Sequence, residues 1–486
     1  MKLKKLIPAA IFSAALLVSP VVCSAEEESL PDGTQSLGSG GIYFGDGYSL
    51  EYAYINSKTE ISVTACSGEA VEVEIPLTID NLPVTDIGEG AFYQCGDLTR
   101  VTMGNKVTTI NAGAFFSCEL LEEISLSDQL KTIDYQAFYG CSALTEFSIP
   151  ATLTSLGDGV FEGCTALGSI DVADGNTVYS DADGVLYNRD QTTLIKFPEG
   201  ADITAFTIPE TVTEIRNNAC YGAQKLQEVS LPASLTTLGQ YVFEGCPALE
   251  SIHVSAENKT YAAQDGVLFT KDLSTLIKFP EQCALTEYRV PDSTKKLENW
   301  SFVGAEKLET IDLNQVTEIG EDCFYYCTAL KSITIPESVT KLNGACFAYC
   351  TALSEVNLPD GLTTIGPYCF VNCESLKTVS LPSSLTQIGT YALGYNYDNE
   401  TGATAVRDDF GLIVSVGSIG ADYAESNNIS YTKSGMTLAI VLGAGILLIA
   451  VAILIIALIS RKRAMTVRPA KSANKPASDR KDQNHE

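Results

Sequence analysis

The chain has 486 residues, 45% of them hydrophobic and 8% aromatic, and a formal net charge of −29. That length exceeds what one core requires, and so acidic a chain repels nucleic acid, whose binding rests on neutralising phosphates. Both ends are net basic, with Lys2, Lys4 and Lys5 at the start and a basic tail from Arg461, so the body between is more acidic still.

Residues 1–25, "MKLKKLIPAAIFSAALLVSPVVCSA", have a Lys-rich start, an apolar run and small residues before "EEE", which predicts a secretory signal peptide. Cleavage after Ala25 is the simplest reading; a lipoprotein reading through Cys23 meets Val22 where a small residue is usual. Residues 26–48, opening "EEESLPDGTQSLGSGG", are polar and Gly-rich and predict a disordered leader. Residues 49–90 open with the extended "LEYAYINSKTEISVTAC" and predict an N-terminal cap, since a terminal coil of a stacked array exposes its core.

From 91 to 391 one template recurs. Phe92, Phe115, Phe138 and Phe161 stand 23 residues apart; Phe243, Phe302, Phe324, Phe347 and Phe370 continue the series, with Cys220 standing in once. In "LxxIxLP" the apolar residues alternate as on a strand with one buried face, and Pro closes the strand because it cannot donate to a ladder. "LTxIG" predicts a second short extended stretch, and "xxAFxxC" a turn of helix with Phe inward. With "VEVEIP" (71–76) as the first, thirteen strands are predicted. Two longer units carry insertions, near 173–200 and 255–282, whose cores "DGVLYNRDQTTLIKFP" (183–198) and "DGVLFTKDLSTLIKFP" (265–280) lie 82 residues apart and predict β-hairpins. Residues 392–432 leave the template and predict a C-terminal cap. "MTLAIVLGAGILLIAVAILIIALI" (436–459) is uncharged and followed by "RKR". Roughly 20 apolar residues span a bilayer, so a transmembrane helix is predicted, with 460–486 as a basic cytoplasmic tail.

Fourteen of the fifteen cysteines lie beyond the signal. Cys95, Cys118, Cys141, Cys164, Cys246, Cys327, Cys350 and Cys373 share one inward position, and Cys323, Cys346 and Cys369 another. Buried thiols behave as small hydrophobes, so a reduced ladder is expected; bridges between stacked coils remain the alternative. Zinc has no CxxC and, before the tail, only His253.

The template "AFYGCSALTEFSIPATLTSLGDG" and the insertion "DGVLFTKDLSTLIKFP" resemble the BspA-like leucine-rich-repeat surface proteins over about residues 49–432. The resemblance implies an α/β repeat solenoid, a right-handed curved array with parallel strands on its concave side, here followed by a transmembrane helix in place of a sorting signal. It implies adhesion to host matrix, host cells or other microbes, with no catalytic residues and no cofactor.

A lone histidine in the body removes most Ser-His and Cys-His catalysis, so no enzyme is expected, and a glycan-acting one stands a distant third. Asp181, Asp183 and Asp265 fit either a Ca²⁺ ion or turn formation, the latter more readily. The outward strand positions, among them Thr102, Ser148, His253, Arg289 and Asn357, form a hydroxyl-rich acidic face without aromatic anchors. Tyr241, Trp300, Tyr368 and Tyr391, just before the repeat Phe, are expected to pack between coil edges. Interfaces favour an aromatic beside a cation, which singles out Tyr187 with Arg189 and Phe269 with Lys271 on the hairpins, with His253 and Arg289 nearby. The opposing reading folds the hairpins back onto the solenoid through Val185, Leu186, Leu194 and Ile195. The sequence thus predicts a single-pass cell-membrane protein with extracellular repeats that recognise a protein or glycan; the alternative is a structural spacer or envelope-organising protein.

Overall fold

Alternating apolar residues demand one buried face, and a strand supplies it by sending successive side chains to opposite sides. In the computed structural model, which describes residues 40–399 and 401–434, the template takes that form: Arg100–Met103 and Glu146–Ile149 alternate exposed and buried. These strands run parallel and pair, in runs of two to four, with counterparts one coil on. Glu72–Ile75 pairs with Arg100–Met103, Glu146–Ile149 with Ser169–Val172, and Glu228–Leu231 with Ser251–Val254. All thirteen predicted strands are present, and Gly411–Val414 joins the row after Thr378–Ser380. The "LTxIG" segments make a second parallel ladder, as in Thr109–Ile110, Thr132–Ile133 and Ser155–Leu156.

The third side of each coil departs from expectation. "AFxxC" is a series of turns, and the one α-helix among the described residues is Ile419–Ser426 in the C-terminal cap. The fold is therefore a β-solenoid and not the α/β array expected. The cause is two left-handed residues four apart in each turn, such as Gly90 and Gln94, Gly113 and Ser117, Tyr241 and Gly245, or Trp300 and Gly304. A right-handed helix cannot pass through such residues. The freed amides bond along the stack instead: Phe92 N–H donates to Ala114 O at 2.7 Å, Phe324 N–H to Cys346 O at 2.8 Å.

Inside this side the repeat phenylalanines stack, with ring centroids 4.8 Å apart for Phe92 and Phe115 and 5.2 Å for Phe324 and Phe347. The repeat cysteine sits beneath them. The Cys118 thiol donates to Phe92 O at 3.0 Å, that of Cys141 to Phe115 O at 3.2 Å, that of Cys350 to Phe324 O at 3.1 Å. A thiol is apolar enough for the core yet still satisfies a buried carbonyl, which alanine would not. All fourteen described cysteines are free, and all but the half-buried Cys66 and Cys95 are buried.

Each insertion is a three-stranded antiparallel meander, larger than the hairpin predicted. In the first, Tyr179–Ala182 pairs with Val185–Asn188, which pairs with Thr193–Lys196. Asp183 and Gly184, both at positive φ (52° and 76°), form the two-residue turn. A Cβ on Gly184 would meet that of Ser169 at 2.8 Å. The last meander strand then opens a new stretch of the second ladder, pairing with Glu214–Ile215. Each meander is pinned by one asparagine. Buried Asn176 donates to Pro150 O and Leu153 O and accepts from the Val178 and Tyr179 amides; Asn258 repeats this with Pro232, Leu235, Thr260 and Tyr261. The apolar interior falls into three clusters whose divisions lie at the meanders, the first running from Leu50 to Ile195, the second from Val185 to Leu268 and the third from Val267 to Ile429.

The N-terminal cap is antiparallel: Gly41–Phe44 pairs with Tyr48–Ile55, and that with Glu60–Gly68. The strand Gly41–Phe44 thus lies inside the stretch read as leader. At the other end buried Arg407 closes the last coil, donating to the carbonyls of Cys373, Glu374 and Leu376. The predicted signal peptide, transmembrane helix and tail lie outside the described residues; among those described, no helix is long and apolar enough to cross a membrane.

Candidate functional site

The six residues singled out in the sequence are not gathered into one site. Tyr187 and Phe269 are 1% and 0% exposed, which corrects their reading as surface anchors. Each lies on the central strand of its meander, Val185–Asn188 or Val267–Thr270, whose first three side chains are all buried. A strand covered on both faces cannot present its aromatic to a partner. Arg189 and Lys271 stay exposed at the turns, and the Lys271 ammonium donates to Ala256 O at 3.3 Å. His253 and Arg289 are exposed but belong to different sheets. His253 Nε2 lies 3.1 Å from Ser251 Oγ, while Arg289 is held by Asp312 at 3.1 Å and Asp292 at 3.0 Å. Asp181 accepts from the Val172 amide at 2.9 Å and Asp183 forms its turn, so both serve the backbone.

The outward strand row is as read. Thr102, Ser125, Ser148, Asp171, Thr207, His253, Arg289, Asp312, Thr334, Asn357 and Ser380 are exposed, and only Ser230 is half-buried. This surface is rigid, polar and uniform.

Chemistry concentrates where each meander meets the stack. At the first junction Lys196, buried, contacts Glu199 at 3.3 Å and donates to Tyr221 O at 3.4 Å; Glu199 also accepts from the Gly163 amide at 2.8 Å. Nearby, Glu162 accepts from Asn218 Nδ2 at 2.5 Å. The second junction has the same residue types 82 positions on, with Lys278, Glu244 and Glu281 in the places of Lys196, Glu162 and Glu199, but pairs them differently. Lys278 binds Glu244, and buried Glu281 keeps one carboxylate oxygen, Oε1, without a hydrogen-bond partner. Burial pushes the Glu281 carboxyl up to about 7, against the pull of Lys278. Burial lowers the Lys278 ammonium, but Glu244 and Glu281 reverse this and leave it above its ordinary value.

The junctions differ in space as well. The first holds a cavity of about 40 Å³ between Asp158, Gly159 and Arg216; the second opens to about 260 Å³. Its walls include Gln240, Tyr241, Tyr261, Glu298 and Asn299, with Glu244 and Lys278 contributing from the core. Tyr241 and Trp300 meet edge to face at 5.9 Å. Both stand at left-handed φ, 57° and 64°, where earlier coils have Gly90, Gly113, Gln136, Gly159 and Asn218, all likewise at positive φ. A bulky residue there costs about 1–2 kcal/mol. Aromatic contacts run on through Trp300–Tyr325 and Tyr326–Tyr349, and separately through Tyr368–Tyr391, at 6.4, 4.5 and 5.5 Å. These four aromatics do pack between coil edges, as expected. The sequence signal missed was their alignment with glycine, which marks a strained position.

A sequence profile described as the BspA type leucine rich repeat region matches in six copies, over residues 85–202, 196–280 and 277–399. No curated protein matches the chain. Among solved structures, a leucine-rich repeat protein from Eubacterium ventriosum is 23% identical over 73% of this chain and 94% of its own, with a TM-score of 0.42. The pneumococcal vaccine antigen PcpA is 20% identical over 82% and 99%, with a TM-score of 0.46. A leucine rich cell surface protein from Faecalibacterium prausnitzii is 24% identical over 72% and 95%, also at 0.46.

Proposed function

This chain belongs to the BspA type leucine rich repeat family, and on that premise we propose that it is a non-enzymatic recognition or adhesion protein displayed at the cell surface. The observation that carries the reading is the outward strand row, in which nearly every position is an exposed polar side chain on a backbone fixed by its neighbours. Such a surface spends its order on presentation: a preformed face loses little entropy on binding. The resemblance of the "PcpA" and Faecalibacterium proteins lends no ligand, so the partner is an extracellular protein or glycan of unassigned identity. The signal-like start, the apolar run 436–459 and the basic "RKR" after it support a single-pass anchor, with the repeats outside and the tail inside.

The test is binding of the purified chain to matrix proteins, glycans and whole cells. Saturable binding to one class supports recognition; silence across the panel would leave a spacer role. Topology is tested separately: protease added to intact cells should remove the repeats and spare the tail.

A further inference from the structure

We propose that the cleft at the second meander junction, walled by Tyr241, Tyr261, Gln240 and Asn299, is a subsite for one neutral hexose ring of a glycan, an inference that rests on the recognition reading above. Four observations carry it.

The cleft is small. About 260 Å³ falls below the roughly 300–1,000 Å³ of clefts for drug-sized molecules and suits a single ring. Its chemistry is mixed. Half-buried Tyr241 offers an apolar ring face, over a floor made by buried Tyr261, whose hydroxyl accepts from the Leu238 amide. The exposed Gln240 amide both donates and accepts, and Asn299, whose Oδ1 accepts from the Glu321 amide, has its Nδ2 to donate. A pyranose has the matching duality, a C–H face bordered by hydroxyls that donate and accept.

Its walls carry two acids, Glu244 and Glu298, and one cation, Lys278. Lys278 is held by Glu244, and Glu298 by Lys296 at 3.0 Å. With no spare cation at its walls and an acidic body around it, the cleft disfavours phosphate, sulfate, sialic acid and acidic peptides. Nor does it offer the deep apolar slot that a peptide's hydrophobic anchor needs. The fourth observation is the contrast between the copies. The duplicated first junction keeps Gly159 at the position of Tyr241 and has only about 40 Å³. Left-handed residues recur in most turns, so it is the exchange of glycine for tyrosine, and not the φ itself, that sets the second copy apart.

The chain contains one tryptophan, Trp300, whose ring touches Tyr241 and Tyr325, so its fluorescence reports on the wall of the cleft and the coil beside it. The full chain, in a detergent without a sugar headgroup, is titrated with glucose, galactose, mannose, N-acetylglucosamine and their tetrasaccharides. A saturable change in Trp300 emission with at least one of these is expected. Tyr241→Gly, which relieves the strain and so should fold, is expected to weaken that saccharide at least tenfold. Gln240→Ala, at an exposed side chain, should weaken it severalfold, and Arg216→Ala at the first junction should leave it unchanged. The proposal is overturned if no neutral saccharide gives a saturable change, if Tyr241→Gly binds as tightly as the native chain, or if only acidic peptides or anionic glycans respond. Cell binding measured in parallel separates the two readings. Binding to cells without any Trp300 response to neutral sugars rejects the cleft and keeps recognition, whereas a Trp300 response without cell binding does the reverse.

Discussion

The two meander junctions are copies of one 82-residue unit, and they agree in scaffold while differing in content. Asn176 and Asn258 make the same four hydrogen bonds, and Tyr179 and Tyr261 are both buried. Yet Lys196 turns to the glutamate of its own meander, Lys278 to that of the neighbouring coil. The first copy has a narrow gap beside Arg216; the second leaves a cleft beside Glu298 and sets Tyr241 where the first has Gly159. Duplication preserved what holds the insertion down and released the residues that do not.

If the scaffold is shared, breaking it should cost the same in both copies. Tyr187→Ala and Phe269→Ala are each expected to destabilise by about 3–5 kcal/mol, as large aromatics leaving a core do, in denaturant unfolding followed by circular dichroism. A loss below about 1 kcal/mol in either would mean that its meander does not pack on the stack.

The differing charge should show in pH dependence. The Glu281 carboxyl is raised to about 7 from its ordinary 4.5 by burial, and Asp322 to about 7 from 3.8 for the same reason. A raised acid binds its proton more tightly when folded, so its contribution is complete below the unfolded value and is lost as pH climbs through the folded one. Melting temperature should therefore fall between about pH 4.5 and pH 7. Glu281→Gln should remove part of that slope and stabilise the protein at pH 8 by on the order of 3 kcal/mol. An unchanged slope would mean that Glu281 has a partner in solution.

The exchange of glycine for tyrosine predicts an asymmetry. Gly159→Tyr, which forces a bulky residue to left-handed φ, should cost about 1–2 kcal/mol. Tyr241→Gly relieves the same strain but loses a ring contact with Trp300 worth about 0.5–1.5 kcal/mol, so its melting temperature should barely move. Equal losses in both variants would show that φ does not distinguish the copies.

The smallest effect contrasts the stack with its edge. Cys66 and Cys95 are half-buried, and hydrogen bonding from Cys66 lowers the Cys95 thiol, whereas burial raises those of the inner ladder. Iodoacetamide should label Cys95 first, with the ladder following only on denaturation, as read by mass spectrometry. Uniform labelling would mean that the coils open as readily as the cap.

Much of this was legible because repetition averages out ambiguity. A single "LTEFSIP" reads weakly, but thirteen strands in phase fix their spacing and their outward row. The turn side was misread because its left-handed residues include Gln94, Ser117, Tyr326 and Ala345, which carry no glycine signature. The strand Tyr179–Ala182 was missed because the hairpin was read as 183–198, which makes Asp183–Gly184 its start and not a turn between two strands. The hairpin aromatics were misplaced because an aromatic beside a cation looks the same on an exposed strand and on one covered on both faces. Only tertiary packing separates the two.

The three apolar clusters, parted at the meanders, make the molecule a chain of links in series when it is pulled. Load applied between its ends passes through every coil; the first and third clusters hold runs of stacked phenylalanines, the middle one only the tilted pair Phe197 and Phe206. Stretched in an optical trap, the repeats should lengthen in a few large steps. The middle link, of some 82 residues, would release up to roughly 290 Å at about 3.5 Å per residue. A chain that yields by links keeps its remaining coils folded while it lengthens.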